Sequence, residues 1–246
     1  MMVLICCGIT LFCTMVIGVD EAGKGPVLGP MVISAIACEN EDELREIGVR
    51  DSKALTPKKR KEIYNILTTK FPYYSVVITA SEIDALRETM SMNVITAKSH
   101  AMAIKQVAAM TSDTISKNIC VDACDVNEKR YGTIISGYIG SSYTVVARHR
   151  ADSLYPVVAA ASIIAKVTRD TIIEDIKREL YDEWGNIGSG YPSDPKTVTF
   201  LKNYIEMRHK APYIARSSWA TVKNMLASQS ATDKVSVPST QKQLFE

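Results

Sequence analysis

The chain has 246 residues, of which 46% are apolar and 23% are charged, and its formal net charge at pH 7 is only +2. This length allows one folded domain with a sizeable core, with or without an appendage. The weak charge does not by itself indicate nucleic-acid binding, although a local basic patch would still allow it. The six cysteines include no Cys-x-x-Cys pair, which argues against a zinc site or a disulfide-linked secreted scaffold. We therefore expect reduced thiols in a cytoplasmic protein.

The N-terminus begins with an apolar segment, MMVLICCGITLFCT, that lacks basic residues. Taken on through Val19, this apolar run reaches roughly the length of a membrane span. A signal peptide or anchor is one interpretation, but it fits poorly with a core strand that begins at residue 16. We favour the other interpretation, an extension that precedes an alternative start at Met15, and expect residues 1–15 to lie outside the folded domain.

Apolar segments predict five β-strands along the chain. The first two are linked by a glycine-rich loop, and the last two are bounded by polar turns. Strands that first cluster and then alternate with helices predict an α/β fold with a mixed sheet flanked by helices. The predicted strands are 16–20, 30–38, 73–80, 118–124 and 143–149.

Capping residues and apolar periodicity predict the helices. Thr56 is the expected N-cap of a helix whose first residue is Pro57, and Ser81 the expected cap of a short helix with Asp84 as its partner. From about residue 228 the chain is rich in Ser, Thr, Gln and Lys, which predicts a disordered tail over 228–246. Further helices are predicted over 94–110, from Pro156 to about Tyr181, and from Asp194 and Pro195 to near Arg208.

Four acidic residues lie at the ends of predicted strands or just beyond them. Asp20 and Glu21 follow VIGV, Asp122 follows NICV, and Asp152 lies between the strand YTVVARH and the long helix. Any one of them could be a helix cap or a salt-bridged strand end. Together they predict a site at one edge of the sheet, where ionised carboxylates must be paired or bound to metal. Oxygen ligands without His or Cys ligands favour Mg²⁺ or Mn²⁺.

The loop EAGKGPVLGP follows the first acidic pair. No Ser or Thr follows its Gly-Lys pair, so it is not a Walker A loop, and its glycine spacing does not match the dinucleotide-binding fingerprint. Glycines allow a backbone to approach a phosphate or ribose closely. A tight turn between two antiparallel strands is the alternative explanation.

Four ordered motifs resemble ribonuclease HII, and in particular its archaeal branch. They are GVDEAGKGPVLGPMV, RDSKALTPKKR, VDACDV and HRADSLYPVVAAASIIAKVTRD, and the likeness extends over roughly residues 16–225. The resemblance implies an RNase H-like fold, with a five-stranded mixed sheet and a small helical C-terminal part. Residues 16–185 would form the catalytic domain and residues 186–227 the helical part. It also implies an endonucleolytic ribonuclease H that cleaves the RNA strand of RNA–DNA hybrids and single ribonucleotides embedded in duplex DNA.

The resemblance assigns roles to the acidic residues. Asp20, Glu21, Asp122 and Asp152 would be both the catalytic residues and the ligands of Mg²⁺ or Mn²⁺. Two ions roughly 3.5–4 Å apart would activate a water and stabilise the leaving oxygen, so that no protein nucleophile is needed. The products would carry 5′-phosphate and 3′-hydroxyl ends.

The resemblance also implies a set of substrate-binding residues. Gly23, Lys24 and Gly25 occupy a Gly-Arg-Gly motif that senses the 2′-hydroxyl, with a lysine here in place of the usual arginine. Tyr191 corresponds to a tyrosine that packs on the sugar after the ribonucleotide. Phosphate contacts are predicted for Lys53 by the same resemblance, and for Lys166 and Arg169 from their places on the long helix. His100 and His149 are expected to be ordinary core or surface residues.

The predicted partners are RNA–DNA hybrids and ribonucleotide-containing duplex DNA, bound by a monomer that does not insert in a membrane. The tail ends in STQKQLFE, in which Gln241, Leu244 and Phe245 resemble a shortened sliding-clamp-binding peptide. Three other functions stay open from the sequence alone. They are a DNA nuclease of the same fold, a non-catalytic hybrid-binding protein, which the complete set of carboxylates argues against, and a structural metal-binding domain, which the glycine loop argues against.

Overall fold

The computed structural model describes residues 14–49, 55–111 and 116–235. The chain divides into two units, neither of which is continuous in sequence. The first unit comprises Met1–Lys24, Met31–Val77 and Ser91–Asp170, and the second comprises Gly25–Pro30, Ile78–Met90 and Thr171–Glu246.

A mixed five-stranded sheet provides the framework of the first unit. Its order is β3-β2-β1-β4-β5. Strand β1 is central: it pairs antiparallel with β2 and parallel with β4, and β4 pairs parallel with β5. This arrangement confirms the predicted α/β fold with a mixed sheet. The strands are β1 (Thr14–Ala22), β2 (Met31–Cys38), β3 (Tyr73–Ile78), β4 (Ser116–Asp122) and β5 (Thr144–Arg148).

Helices pack against this sheet through apolar side chains. Apart from Ser162, the first ten residues of the helix that begins at Pro156 are apolar, and Val157, Ile163 and Ile164 are fully buried there, as expected for a helix in the middle of a core. The helices of the chain are α1 (Glu41–Ile47), α2 (Pro57–Lys70), α3 (Ala80–Arg87), α4 (Met92–Ala109), α5 (Glu128–Ile139), α6 (Ala151–Leu154), α7 (Pro156–Trp184), α8 (Pro195–Arg208) and α9 (Ala220–Val235).

Gly18 marks the place where β1 and the start of α7 approach most closely. A Cβ atom built on Gly18 would lie 2.4 Å from both the carbonyl carbon and the carbonyl oxygen of Val157. These are backbone atoms, which cannot rotate away, so only glycine fits between the central strand and this helix. The glycine in VIGVD therefore sets the position of α7 relative to the strand that carries Asp20 and Glu21.

The second unit consists of the loop 25–30, α3, the C-terminal part of α7, and α8 and α9. Its core combines Val27 and Leu28 from the loop with Phe200, Leu201 and other residues of the C-terminal helices. Asp84 of α3 accepts hydrogen bonds from the backbone amides of Ser217 and Ser218, at 2.6 and 2.9 Å, immediately before α9. Short sequence-distant contacts of this kind tie the three pieces of the unit together.

The predicted helix start at Ser81 is wrong. Thr79 is the N-cap of α3, and its hydroxyl and the Glu82 carboxylate form a reciprocal capping box. Asp84, the expected partner of Ser81, instead binds the serines before α9. A capping-box pattern is ambiguous here because Thr79 and Ser81 each have an acidic residue three positions later.

The sequence analysis missed α1, α5, α6 and α9. In α5, Gly132 and Gly137 weaken the helical signal, while Asn127 caps the helix by accepting a hydrogen bond from the Arg130 amide. Strand β1 begins at Thr14, and α9 runs to Val235; residues 1–13 and 236–246, with most of the predicted extension and tail, lie outside the described residues. Within the part of the chain that the structure describes, every helix is too short or too polar to cross a bilayer.

Replacing Gly18 with alanine should destabilise the protein strongly. The added methyl group collides with the backbone of α7, and overpacking of this kind costs about 1–3 kcal/mol or more. Gly137→Ala is the matched control, because a Cβ there meets nothing within 4 Å and alanine favours the helix by up to about 1 kcal/mol. Urea unfolding of both variants checks the prediction; equal stability of the two variants would contradict it.

Candidate active site

The four predicted carboxylates come together at one edge of the sheet in the first unit. Parallel pairing of β1 with β4 sets Val19 opposite Val121, so that the residues following them, Asp20 and Asp122, end neighbouring strands at the same edge. Glu21 continues β1, and Asp152 lies in α6, directly after β5. The proximity that the sequence predicted for these four residues is therefore present in the structure.

Burial and mutual repulsion raise the pKa values of two of these carboxyl groups. Asp20 is 6% exposed, and its pKa is raised well above 3.8, first by burial and then by the charges of Glu21 and Asp122. The pKa of Asp122 is raised by burial, and further by the charges of Glu21 and Asp152. Each carboxylate thus lies within electrostatic reach of at least one other, and this repulsion favours the binding of a cation at this edge.

Backbone and hydroxyl groups hold the two aspartates in place. The Asp20 Oδ1 atom accepts a hydrogen bond from the Glu21 amide at 2.7 Å, and Asp20 also receives one from the Ser162 hydroxyl, which lowers its pKa against the larger effect of burial. The Asp122 Oδ1 atom accepts from the Ala151 amide at 2.6 Å. That amide follows Arg150, a non-glycine residue with φ of 54°, so a left-handed residue directs the donor at the carboxylate.

The donor set fits a hard divalent cation. Asp20, Glu21, Asp122 and Asp152 offer carboxylate oxygens, which are the ligands that Mg²⁺ and Mn²⁺ prefer, and a cation would offset the repulsion that raises the aspartate pKa values. No three His, Cys, Asp or Glu side chains among residues 14–49, 55–111 and 116–235 already converge to hold an ion. In this structure Asp20, Glu21 and Asp122 are instead hydrogen-bonded to protein groups.

His100 contacts the site, which the sequence analysis did not foresee. His100 is fully buried, which agrees with a place in the core, one of the two that the sequence analysis expected. Its Nε2 atom, however, lies 3.0 Å from Oε2 of Glu21. The sequence offered only a weak signal: His100 lies in the middle of an alanine-rich apolar helix, where a polar side chain requires a partner. Nothing in the local pattern identifies that partner, which lies 79 residues earlier in the chain.

The first part of the glycine loop is anchored within the first unit. Gly23 has φ of 84°, a conformation that glycine adopts readily. The Lys24 ammonium donates hydrogen bonds to Oδ1 of Asn93 at 2.8 Å and to the Cys124 carbonyl at 3.1 Å. The lysine that replaces the usual arginine is therefore engaged with the protein itself.

Gly25 and Tyr191 lie together in the second unit. A Cβ atom on Gly25 would be 3.8 Å from Cε1 of Tyr191, and the indole nitrogen of Trp219 donates to the Gly25 carbonyl at 3.3 Å. The Tyr191 side chain is 45% exposed. An exposed aromatic ring beside an exposed glycine is a surface on which a sugar or base could pack.

The three basic residues predicted to contact phosphate have different surroundings. Lys166 is half-buried and donates to the Ser162 hydroxyl at 2.8 Å, and that hydroxyl in turn bonds to Asp20. Arg169 is only 7% exposed, so little of its side chain is available to a phosphate. Lys53 lies outside the described residues. The phosphate contacts stay predictions.

Comparison with known proteins identifies the family. The sequence model described as Ribonuclease HII matches residues 17–222. The ribonuclease HII of Methanospirillum hungatei is 52% identical over 212 residues, which are 86% of this chain and 95% of that protein. The chain belongs to the ribonuclease HII family. This confirms the resemblance found in the sequence motifs, and the chain is accordingly an endonucleolytic ribonuclease H that acts on RNA–DNA hybrids.

Solved archaeal structures share the fold of this ribonuclease HII. The crystal structure of ribonuclease H2 from Pyrococcus horikoshii OT3 is 39% identical, covers 88% of this chain and 99% of its own, and superimposes with a TM-score of 0.77. The RNase HII in a complex with PCNA from Archaeoglobus fulgidus is 36% identical, with a TM-score of 0.74 over 83% of this chain and 95% of its own. The RNase H-like fold predicted from the sequence is thereby confirmed.

Asp20→Asn should stabilise the metal-free protein at neutral and alkaline pH. Because the pKa of Asp20 is raised in the folded state, folding favours its protonated form. Its ionisation therefore lowers stability as the pH rises from the unfolded-state value, about 3.9, through the higher folded-state value. The neutral amide avoids this loss, and each unit of pKa difference is worth about 1.4 kcal/mol.

Urea unfolding in EDTA at pH 8 and at pH 3.5 measures this effect. We expect Asp20→Asn to exceed the wild type in free energy of unfolding at pH 8 by on the order of 1 kcal/mol or more, and the difference to shrink at pH 3.5. Asp182→Asn, at an exposed position on α7, is the control and should change little. A destabilised Asp20→Asn protein at pH 8 would contradict the electrostatic account.

Proposed function

We propose that this ribonuclease HII hydrolyses the RNA strand at single ribonucleotides embedded in duplex DNA as well as in RNA–DNA hybrids, with Asp20, Glu21, Asp122 and Asp152 as the ligands of two Mg²⁺ or Mn²⁺ ions. The observation that carries the proposal is that these four carboxylates lie within electrostatic reach of one another at one sheet edge, in a chain of this family. Repulsion among them, together with burial, gives a cation a favourable place to bind.

The residues of the site would bind and orient rather than react covalently. Divalent ions, when bound, supply an activated water and stabilise the leaving oxygen of the phosphodiester. The Ala151 amide holds Asp122, and the Glu21 amide and the Ser162 hydroxyl hold Asp20, so that these carboxylates need little rearrangement. We infer products with 5′-phosphate and 3′-hydroxyl ends.

The glycine loop would recognise the ribose through its backbone. The Lys24 ammonium is already bound to Asn93 and to the Cys124 carbonyl, so its role is to hold the loop rather than to form the bidentate contacts of an arginine. This supports the interpretation in which replacing arginine by lysine matters little. Tyr191, which packs beside Gly25, would contact the sugar that follows the ribonucleotide.

The cleavage test uses a duplex that carries one ribonucleotide, the same duplex in all-DNA form, and an RNA–DNA hybrid. We expect the wild type to cut the first and third substrates in Mg²⁺ or Mn²⁺ and none of them in EDTA. A DNA ligase or a 5′-phosphate-dependent exonuclease then identifies the ends of the products.

Asp122→Asn should abolish cleavage, because it removes a charge from the site while the volume of the side chain stays nearly the same. Near wild-type turnover of this variant at saturating metal would refute the ligand assignment, and cutting of the all-DNA duplex would favour a DNA nuclease.

Tyr191→Ala should weaken cleavage at a single ribonucleotide more than cleavage of a long hybrid. One ribose offers one 2′-hydroxyl, so the junction is held by few contacts, whereas a hybrid offers many registers. Loss of a packing contact of about 1 kcal/mol corresponds to a roughly fivefold decrease in kcat/KM. Tyr181→Ala, an equally drastic change at a 63% exposed tyrosine of α7, is the control. Equal losses on both substrates would remove Tyr191 from junction recognition.

The C-terminal residues support a second, separate proposal of a clamp partner. Gln241, Leu244 and Phe245 lie outside the described residues, and the support comes from their resemblance to a clamp-binding peptide and from the PCNA complex of the Archaeoglobus relative. Comparison of clamp binding by the full chain and by a chain ending at residue 238 tests it; equal binding would refute it.

A cytoplasmic location is inferred from the cysteines. The described cysteines, Cys38, Cys120 and Cys124, are free thiols. Burial raises the pKa of Cys38 to about 12 and that of Cys120 to about 11, so both thiols stay protonated and poorly reactive. Free thiols of this kind are consistent with a reducing compartment such as the cytoplasm.

A further inference from the structure

A chain of three hydrogen bonds leads from Glu21 into the core of the first unit. The Glu21 Oε2 atom lies 3.0 Å from Nε2 of His100, Nδ1 of His100 lies 3.2 Å from the Tyr131 hydroxyl, and that hydroxyl lies 3.2 Å from Sγ of Cys124. His100 and Tyr131 are fully buried, and their rings meet edge to face at 84°. Strand β1, helices α4 and α5 and the segment after β4 each contribute one residue.

The protons of this hydrogen-bond chain can be placed from its Cys124 end. The Cys124 thiol donates to the Tyr131 oxygen. The Tyr131 hydroxyl proton is then available to Nδ1 of His100, to which the hydroxyl donates. Since Nδ1 accepts, the imidazole proton is on Nε2 and is donated to Glu21.

This chain restrains the one carboxylate of the site that has the most rotational freedom. A glutamate has one more rotatable bond than an aspartate, and the restraint on Oε2 comes from a ring that Tyr131 and the surrounding core hold still. No described residue donates a hydrogen bond to Oε1 of Glu21. Outer groups that orient a ligand in this way typically change metal affinity or activity about 10–100-fold when they are removed.

We propose that His100 is a positioning residue, oriented by Tyr131, which fixes the Glu21 carboxylate so that Oε1 is presented to a divalent ion. The inference rests on the proposed function, because it takes Glu21 as a metal ligand. A role in packing alone makes a different prediction: removal of His100 would lower the stability of the fold and leave the affinity of the folded protein for metal unchanged.

Three variants separate these roles. His100→Leu introduces an apolar side chain of similar size and removes the N–H donor, whereas His100→Gln retains an N–H donor. Tyr131→Phe removes only the hydroxyl that orients the His100 ring. Ser99→Ala is the matched control on α4, because Ser99 is buried next to His100 and, among the described residues, its hydroxyl bonds to the Ile95 carbonyl of the same helix. Thermal unfolding establishes that each variant is folded.

Mn²⁺ titration of the full chain without substrate, followed by electron paramagnetic resonance, gives the decisive measurement. We expect the dissociation constant for Mn²⁺ to rise about tenfold or more in His100→Leu, to rise less in Tyr131→Phe, to recover in His100→Gln and to stay unchanged in Ser99→Ala. The Mn²⁺ concentration for half-maximal hybrid cleavage should shift in parallel. The KM for hybrid at saturating Mn²⁺ should not change, because His100 has no exposed surface.

A folded His100→Leu protein with the wild-type Mn²⁺ affinity would overturn the inference, and so would a His100→Gln protein no better than His100→Leu. If His100→Leu does not fold, the Mn²⁺ affinity of Tyr131→Phe decides between the two roles, because the loss of a single oxygen atom disturbs the fold least. Failure of the proposed ligand assignment is distinguishable, because Asp122→Asn would then keep near wild-type turnover at saturating metal. An inactive Asp122→Asn protein, together with His100 variants of unchanged Mn²⁺ affinity, refutes only the role of His100.

Discussion

Electrostatic repulsion among buried and half-buried carboxylates is the constraint on which the first unit depends. A fold that brings Asp20, Glu21 and Asp122 together loses stability unless each charge finds a donor or a cation. Hydrogen-bond donors to these carboxylates come from four different elements. They are the Glu21 and Ala151 amides, the Ser162 hydroxyl and the His100 ring. Three of these four donors come from segments that follow or cover the sheet, so the packing of β5, α4 and α7 against it also sets the charge distribution of the site.

The sequence predicted those features that depend on local pattern. The five strands were found because they are apolar, and the acidic residues at their ends were found because a carboxylate after a buried strand is unusual. The structure adds the parallel pairing of β1 with β4, which brings Asp20 and Asp122 to one edge. The motif likeness identified the family, which no reasoning from charge or periodicity alone had done.

The features that the sequence did not predict depend on contacts between distant segments. His100 appeared to be one polar residue in an apolar helix, and its partner Glu21 could be identified only after α4 was packed on the sheet. Gly18 appeared to be an ordinary strand residue until the backbone of Val157 was seen beside it. Helix α5 was missed because its two glycines lower helix propensity, while packing of Tyr131 and Ile135 in the core stabilises it.

Because the second unit is discontinuous in sequence, its parts cannot all fold as soon as they are synthesised. The amides of Val27 and Leu28 bond to the Gly190 carbonyl, the Gly29 amide bonds to the Ile214 carbonyl, and Arg216 donates to the Val27 and Gly29 carbonyls. Chains emerge from the ribosome N-terminus first. The loop is therefore made well before the residues that anchor it. A nascent chain that has already formed its sheet and brought its carboxylates together still lacks the anchors of residues 25–30 until residue 216 has been made.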